Sequence, residues 1–182
     1  AEQKEMLSKV MFAAVVTDNR VDSVISSVYK TNNYILDTKC VAAYAAAHEY
    51  SSVEDIFALA EERNEAPFII ICDGLEDPHN LGAVIRSAEA AGAHGVIIPK
   101  RRSASLSFTV AKTSAGAVEF MHVARVTNLP QTIEDLKKRG VWVYCADMDG
   151  SPWCQVDFSG AVALVVGSEG AGVGRLIKEK SD

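Results

Sequence analysis

The stretch CDGLEDPHNLGAVIRSAEAAGAHGVIIP, Cys72 to Pro99, decides the architecture of this chain. It opens on the last residue of FIIIC, a short continuous apolar run of the kind that forms a parallel strand buried on both faces. A polar turn follows, then a predicted helix from Asn80 to Ala91. Leu81, Val84, Ile85 and Ala88 share one face of that helix, and Gly92 ends it. GVIIP is a second buried strand. Asp73, Asp77, Pro78, His79 and Asn80 therefore crowd the exit of a hydrophobic strand, with Arg86 two turns further on.

The same alternation extends outward. Upstream, Ser51 and Glu54 in SSVEDIFALAEERN are placed to form a capping box, with Val53, Ile56, Phe57 and Ala60 at helical spacing behind them. Downstream, Ser105 to Ala117 reads as a helix and FMHVARV as a strand. Pro130 and Gly140 bracket another helix carrying Ile133 and Leu136. VWVYCA and AVALVVG are two more strands, and a short helix begins near Val173. Strands alternating with helices predict an α/β fold, a parallel sheet with helices on both faces.

The first fifty residues are less regular. SVISSVYKTNNYILDTK fits a helix followed by a strand, while VAAYAAAHEY suits either. Cys40–Val41 shows neither turn chemistry nor continuous periodicity, so residues are expected to be missing there. The chain stops at RLIKEKSD where a further strand is expected, so the natural protein is expected to continue.

With 182 residues and a hydrophobic fraction of 48%, the chain can bury one sizeable core. A formal charge of −6 argues against nonspecific coating of nucleic acid but leaves room for a local basic patch. Cys40, Cys72, Cys145 and Cys154 form no C-x-x-C pair, which favours a reducing cytoplasm. Cys72 and Cys145 end apolar runs and read as small core residues. His48, His79, His94 and His122 make no metal-ligand spacing, so no metal is expected. No apolar run approaches a membrane span.

Ligands of open α/β sheets bind at the carboxyl ends of strands. Two polar turns are predicted there: DGLEDPHN, and GSEGAGVG after AVALVV, which sets Gly167, Gly170, Gly172 and Gly174 around Glu169. A phosphate-binding P-loop needs Gly-Lys-Ser/Thr, which the second turn lacks. A dinucleotide turn needs G-x-G-x-x-G after the first strand, and this spacing and position differ. Each polar residue also has a plain structural reading. Asn80 suits a helix cap, Arg86 a solvated surface, Asp73 and Asp77 the amides of their own turn, and Glu169 a surface ion pair. His79 and His122 read as incidental. Lys100, Arg101 and Arg102 form three adjacent cations at a strand end, suited either to a soluble loop or to a phosphate backbone.

Taken together, DGLEDPHNLGAVIRSAEAAG resembles the first signature of the SpoU/TrmH family of SPOUT RNA 2′-O-methyltransferases, with Asp73, Asp77, Pro78, Asn80, Gly82, Arg86, Ala88 and Gly92 at its fixed positions. ALVVGSEGAGV resembles the second signature through Gly167, Glu169, Gly170 and Gly172, and KTSAGAVEFMHVARVTNL resembles the connecting helix and strand. The resemblance spans about residues 51 to 182 as a catalytic domain. Residues 1 to 50 look like part of a small L30e-like RNA-binding domain, on YILDTK and VAAYAAAHEY. A third signature, which would complete a C-terminal trefoil knot, is absent from this sequence.

The resemblance implies S-adenosylmethionine as donor and a ribose 2′-hydroxyl as acceptor, with a guanosine of 23S ribosomal RNA as the favoured target and transfer RNA as the alternative. It assigns Arg86, Asn80 and Glu169 to the catalytic site and Gly167, Ser168, Gly170 and Gly172 to the cofactor. It implies a homodimer, and Lys100, Arg101 and Arg102 are the candidate RNA contacts. Two rival readings are an RNA-binding module without catalysis and a dehydrogenase; the second lacks its glycine turn.

Overall fold

The structure, a computed structural model, describes residues 49–182. The expectations for an L30e-like domain and for the Cys40–Val41 junction fall outside the described residues.

Helix α1 spans Val53–Arg63, and strand β1, Phe68–Asp73, follows it. Helix α2 (Pro78–Ala90) leads to β2 (Gly95–Pro99). Helix α3 (Phe108–Thr113) and a single 3₁₀ turn precede β3 (His122–Val126). Then come α4 (Leu129–Lys138), β4 (Trp142–Cys145), β5 (Val162–Gly167) and α5 (Arg175–Lys180).

All five strands are parallel, in the order β3-β2-β1-β5-β4. From β1 the chain steps outward through β2 and β3. It then crosses to the opposite edge, and β5 returns to lie beside β1. Helices α2 and α3 pack Leu81, Ile85 and Val110 on one face against Ile70, Cys72, Val96 and Ile98. Helices α1, α4 and α5 pack Ile56, Ile133 and Ile177 on the other, against Ile69, Ile71, Ile97 and Val165. Neighbouring residues of β1 thus point to opposite faces and both are buried, which is why FIIIC carries no polar position. Burying Leu81 and Ile85 completely stabilises this layer by about 2 kcal/mol each.

Three local expectations are corrected. The cap of α1 is Ser52, which shares a capping box with Asp55. Ser51 is drawn away to β3, its amide bonding Val123 O at 2.9 Å and its hydroxyl His122 Nδ1 at 2.9 Å. Asp77, not Asn80, caps α2: its carboxylate accepts the His79 amide at 2.9 Å, and Pro78 opens the helix where an amide has no intrahelical partner. Helix α3 is shorter than its predicted span, because Ser107 starts it and Gly116, at φ +88°, turns the chain away.

Candidate active site

Strands β1 and β5 come from the two halves of the topology, and the helices that follow them leave on opposite faces. A crevice opens where such strands end. Asp73 and Gly167 are register partners, so the two signature turns leave the sheet side by side. They are tied together directly. Asp73 Oδ2 accepts a 2.7 Å hydrogen bond from the amide of Gly174, at the start of α5.

The glycine turn closes on itself. Ser168 and Gly172 exchange two main-chain bonds, at 3.2 and 2.9 Å, and Ser168 Oγ accepts the Ala171 amide at 3.3 Å. A Cβ at Gly167 would lie 2.1 Å from the Gly172 carbonyl carbon, so no other residue fits there without opening the turn. Gly172 itself sits at φ +65°. The amides of Glu169 and Gly170 remain at the exposed tip without a partner among the described residues.

Between the turns lies a cleft of about 330 Å³ whose walls include Asp73, Arg101, Arg102, Ser168, Gly172 and Gly174. The structure thus joins the first signature, the glycine turn and the basic cluster. Lys100 is exposed on the same loop. Arg102 holds φ +55°, unusual for a side chain of its size. Asn80 is half-buried in the first turn of α2. Arg86 is exposed about 9 Å further along the helix axis, two turns from the strand ends. Glu169 is exposed at the turn tip. Among the described residues none of Asn80, Arg86 and Glu169 hydrogen-bonds another, and Glu169 forms no ion pair with Arg86.

Cys72 is a buried core residue, as its apolar run implies, whereas Cys145 is only half-buried. His94 is buried; its Nδ1 accepts the Phe68 amide at 3.0 Å, which leaves Nε2–H for Glu65 at 3.0 Å. Burial pushes the Cys72 thiol up to about 12. Among the described residues no cluster of His, Cys, Asp and Glu could hold a metal ion, and no helix is long and apolar enough to cross a membrane.

The sequence offered no motif for a second, larger recess, about 840 Å³, at the end of β4. Tyr144, Asp147, Met148, Trp153, Phe158 and Lys178 are among its walls. Its loop is anchored to α5 by the Asp147–Lys178 ion pair, and the Lys178 hydrogen bond holds the Asp147 carboxyl below its usual range. Tyr144 meets Phe158 edge-on at 5.1 Å and donates its hydroxyl proton to Asp157 O at 2.9 Å. The cues were Trp153 and Phe158, two aromatic residues in the loop between β4 and β5.

Residues 67–182 match the model of the SpoU rRNA Methylase family. The protein YacO of Bacillus subtilis, assigned to the TrmH family of tRNA/rRNA methyltransferases, is 53% identical over 143 residues, covering 78% of this chain and 57% of YacO. The chain thus spans little more than half the length of that relative. Among solved structures, the SpoU methyltransferase AviRb of Streptomyces viridochromogenes in complex with AdoMet superposes with a TM-score of 0.59 at 25% identity. That match covers 65% of this chain and 47% of AviRb. An RNA 2′-O ribose methyltransferase gives a TM-score of 0.55 at 25% identity, covering 74% and 47% of the respective chains.

Proposed function

The chain belongs to the SpoU rRNA Methylase family, and we propose that it methylates a ribose 2′-hydroxyl of structured RNA, using S-adenosylmethionine. The observation that carries this reading is the Asp73–Gly174 bond, which ties the two signature turns together at the switch point of the sheet, beside a cleft that Arg101 and Arg102 also line.

The residues present fit the donor. Gly167, Ser168, Gly170 and Gly172 would hold it along the turn, where the three glycines bring no side chain, with the amides of Glu169 and Gly170, which have no partner among the described residues, offered at the tip. S-adenosylmethionine, when bound, supplies an electrophilic methyl group, so the protein's task is alignment and assistance to the departing hydroxyl proton. Arg86 is the phosphate clamp and electrostatic stabiliser. A guanidinium with a pKa above about 12 is a poor general base, so the proton passes to a phosphate or to water. Asn80 holds the active conformation, and Glu169 orients Arg86 or the acceptor.

Arg86 is exposed and has no ion-pair partner among the described residues, which supports a homodimer in which the second copy completes the site. The same helix borders an apolar groove, open among the described residues and lined by Phe68, Ile70, Val84, Ala88, Leu164 and Val166, surface that a second subunit would bury. The favoured substrate is a guanosine of 23S ribosomal RNA in the cytoplasm. The family description supports ribosomal RNA, while the name of the Bacillus relative covers transfer RNA as well.

The test is competition. The protein is incubated with labelled S-adenosylmethionine and equal amounts of unmodified large-subunit ribosomal RNA and transfer RNA. Label confined to ribosomal RNA is the expected result; label confined to transfer RNA overturns the substrate, and label on neither overturns the activity.

A further inference from the structure

The basic loop is held as a rigid arc by residues outside the fixed signature positions. The Lys100 amide bonds Val126 O at 2.8 Å, and the Ala104 amide bonds Leu75 O at 2.7 Å. Two side chains complete the frame. Arg125, on β3, donates from Nη2 to Lys100 O at 3.1 Å, and Tyr50 Oη accepts the Leu106 amide at 2.9 Å. Arg125 and Tyr50 are themselves stacked, with the guanidinium carbon 5.1 Å from the ring centroid. The two ends of the loop therefore rest on one cation–aromatic unit.

Arg125 is placed to support this loop rather than to meet RNA through its whole guanidinium. Its Nε is buried and has no hydrogen-bond partner among the described residues, and the side chain is only half-exposed. A buried guanidinium NH left unpaired is costly. Within the pinned arc, Arg102 adopts φ +55°, and both Arg101 and Arg102 line the cleft beside Ser168 and Gly172. A left-handed arginine persists only where its surroundings over-determine it.

We infer that Arg125, acting with Tyr50, is a positioning residue that preorganises Arg101 and Arg102 as a clamp for RNA phosphates beside the glycine turn. This rests on the reading of the cleft as an RNA site. Preorganisation lowers the ordering cost of binding, so losing Arg125 weakens RNA binding without removing a phosphate contact of its own.

A mutant cycle separates the two claims. RNA affinity and its salt dependence are measured for the unaltered protein, Arg125→Met, Arg101→Gln/Arg102→Gln and the triple variant, with S-adenosylmethionine affinity and melting temperature alongside. Neutralising Arg101 and Arg102 is expected to flatten the salt slope by about 1 for each cation. Arg125→Met is expected to weaken RNA binding severalfold in the unaltered background and to add nothing in the Arg101→Gln/Arg102→Gln background. Tyr50→Phe, which keeps the ring but loses the acceptor, is expected to give a smaller effect in the same direction.

An equal loss in both backgrounds shows Arg125 acting independently of the loop and overturns the inference. So does an Arg125→Met loss that merely tracks melting temperature and is absent at temperatures where the variant is fully folded. No change on neutralising Arg101 and Arg102 removes the loop from the RNA interface, and with it the premise.

Discussion

Asp73 and Gly174 lie 101 residues apart in sequence and are joined by a 2.7 Å hydrogen bond from the Gly174 amide to the Asp73 carboxylate. The contact sets where α5 begins relative to the end of β1. The approach is close enough that a Cβ at Gly174 would sit 3.1 Å from the same oxygen, so a larger residue there would require the carboxylate to shift by a few tenths of an ångström. Replacing Asp73 by Ala leaves that amide without its acceptor and is expected to cost about 1 kcal/mol in a urea titration. Donor affinity should fall with it, because the glycine turn is anchored at this point. Unchanged donor affinity in a calorimetric titration would detach Asp73 from the cofactor site.

Gly167→Ala tests the turn itself. The added methyl group would meet main-chain atoms at 2.1 to 2.3 Å, and main chain yields only by opening the turn. Loss of donor binding is expected while the far-ultraviolet circular dichroism stays that of a folded α/β protein. Retained binding would show that the closed form of the turn is not the one that holds the donor.

Gly82 has a different task from the glycines of that turn. A Cβ there would lie 1.8 Å from Thr113 Oγ1 and 2.9 Å from Val110 O, so α2 and α3 meet at this glycine. Gly82→Ala is expected to destabilise by about 1 to 3 kcal/mol through overpacking. Thr113→Ala removes the nearest atom and should restore part of that loss. A strictly additive pair in the urea-denaturation cycle would place the strain elsewhere.

Cys72 is fully buried and its thiol is pushed up to about 12 from an ordinary 9, whereas Cys154 is exposed. Brief treatment with iodoacetamide near neutral pH should label Cys154 and spare Cys72 until urea unfolds the chain, as read by peptide mass spectrometry. Because the folded-state value is the raised one, the thiol's contribution to stability is fully present below pH 9. It is lost as pH climbs from about 9 towards 12. Cys72→Ala should flatten that alkaline decline, and an unaltered pH profile would assign it to other groups.

Much of this was legible in the sequence because the decisive signals are local. FIIIC and GVIIP have no polar position to offer water, and Leu81, Ile85 and Ala88 recur at helical spacing, so strand, helix and parallel sheet follow from solvation alone. The caps were less legible. Ser51 and Ser52 each precede an acid by three residues, and only the pull of His122 and Val123 on Ser51 breaks the tie. At α2 the cue was present in Pro78, whose missing amide suits the first helical position and leaves Asp77 as the cap. The Arg125–Tyr50 frame was invisible because it joins residues 75 positions apart with no shared motif. Sequence marked Asn80, Arg86 and Glu169 as a group, yet in the single chain none of them hydrogen-bonds another.

The most direct test of the central claim is the chemical position of the transferred methyl group in Arg86→Ala beside the unaltered protein. RNA labelled from S-adenosylmethionine would be digested to nucleosides and resolved by mass spectrometry. One 2′-O-methylated nucleoside, lost in Arg86→Ala while donor affinity is retained, is the predicted result. Methyl on a base, or ribose methylation that persists without Arg86, would contradict it.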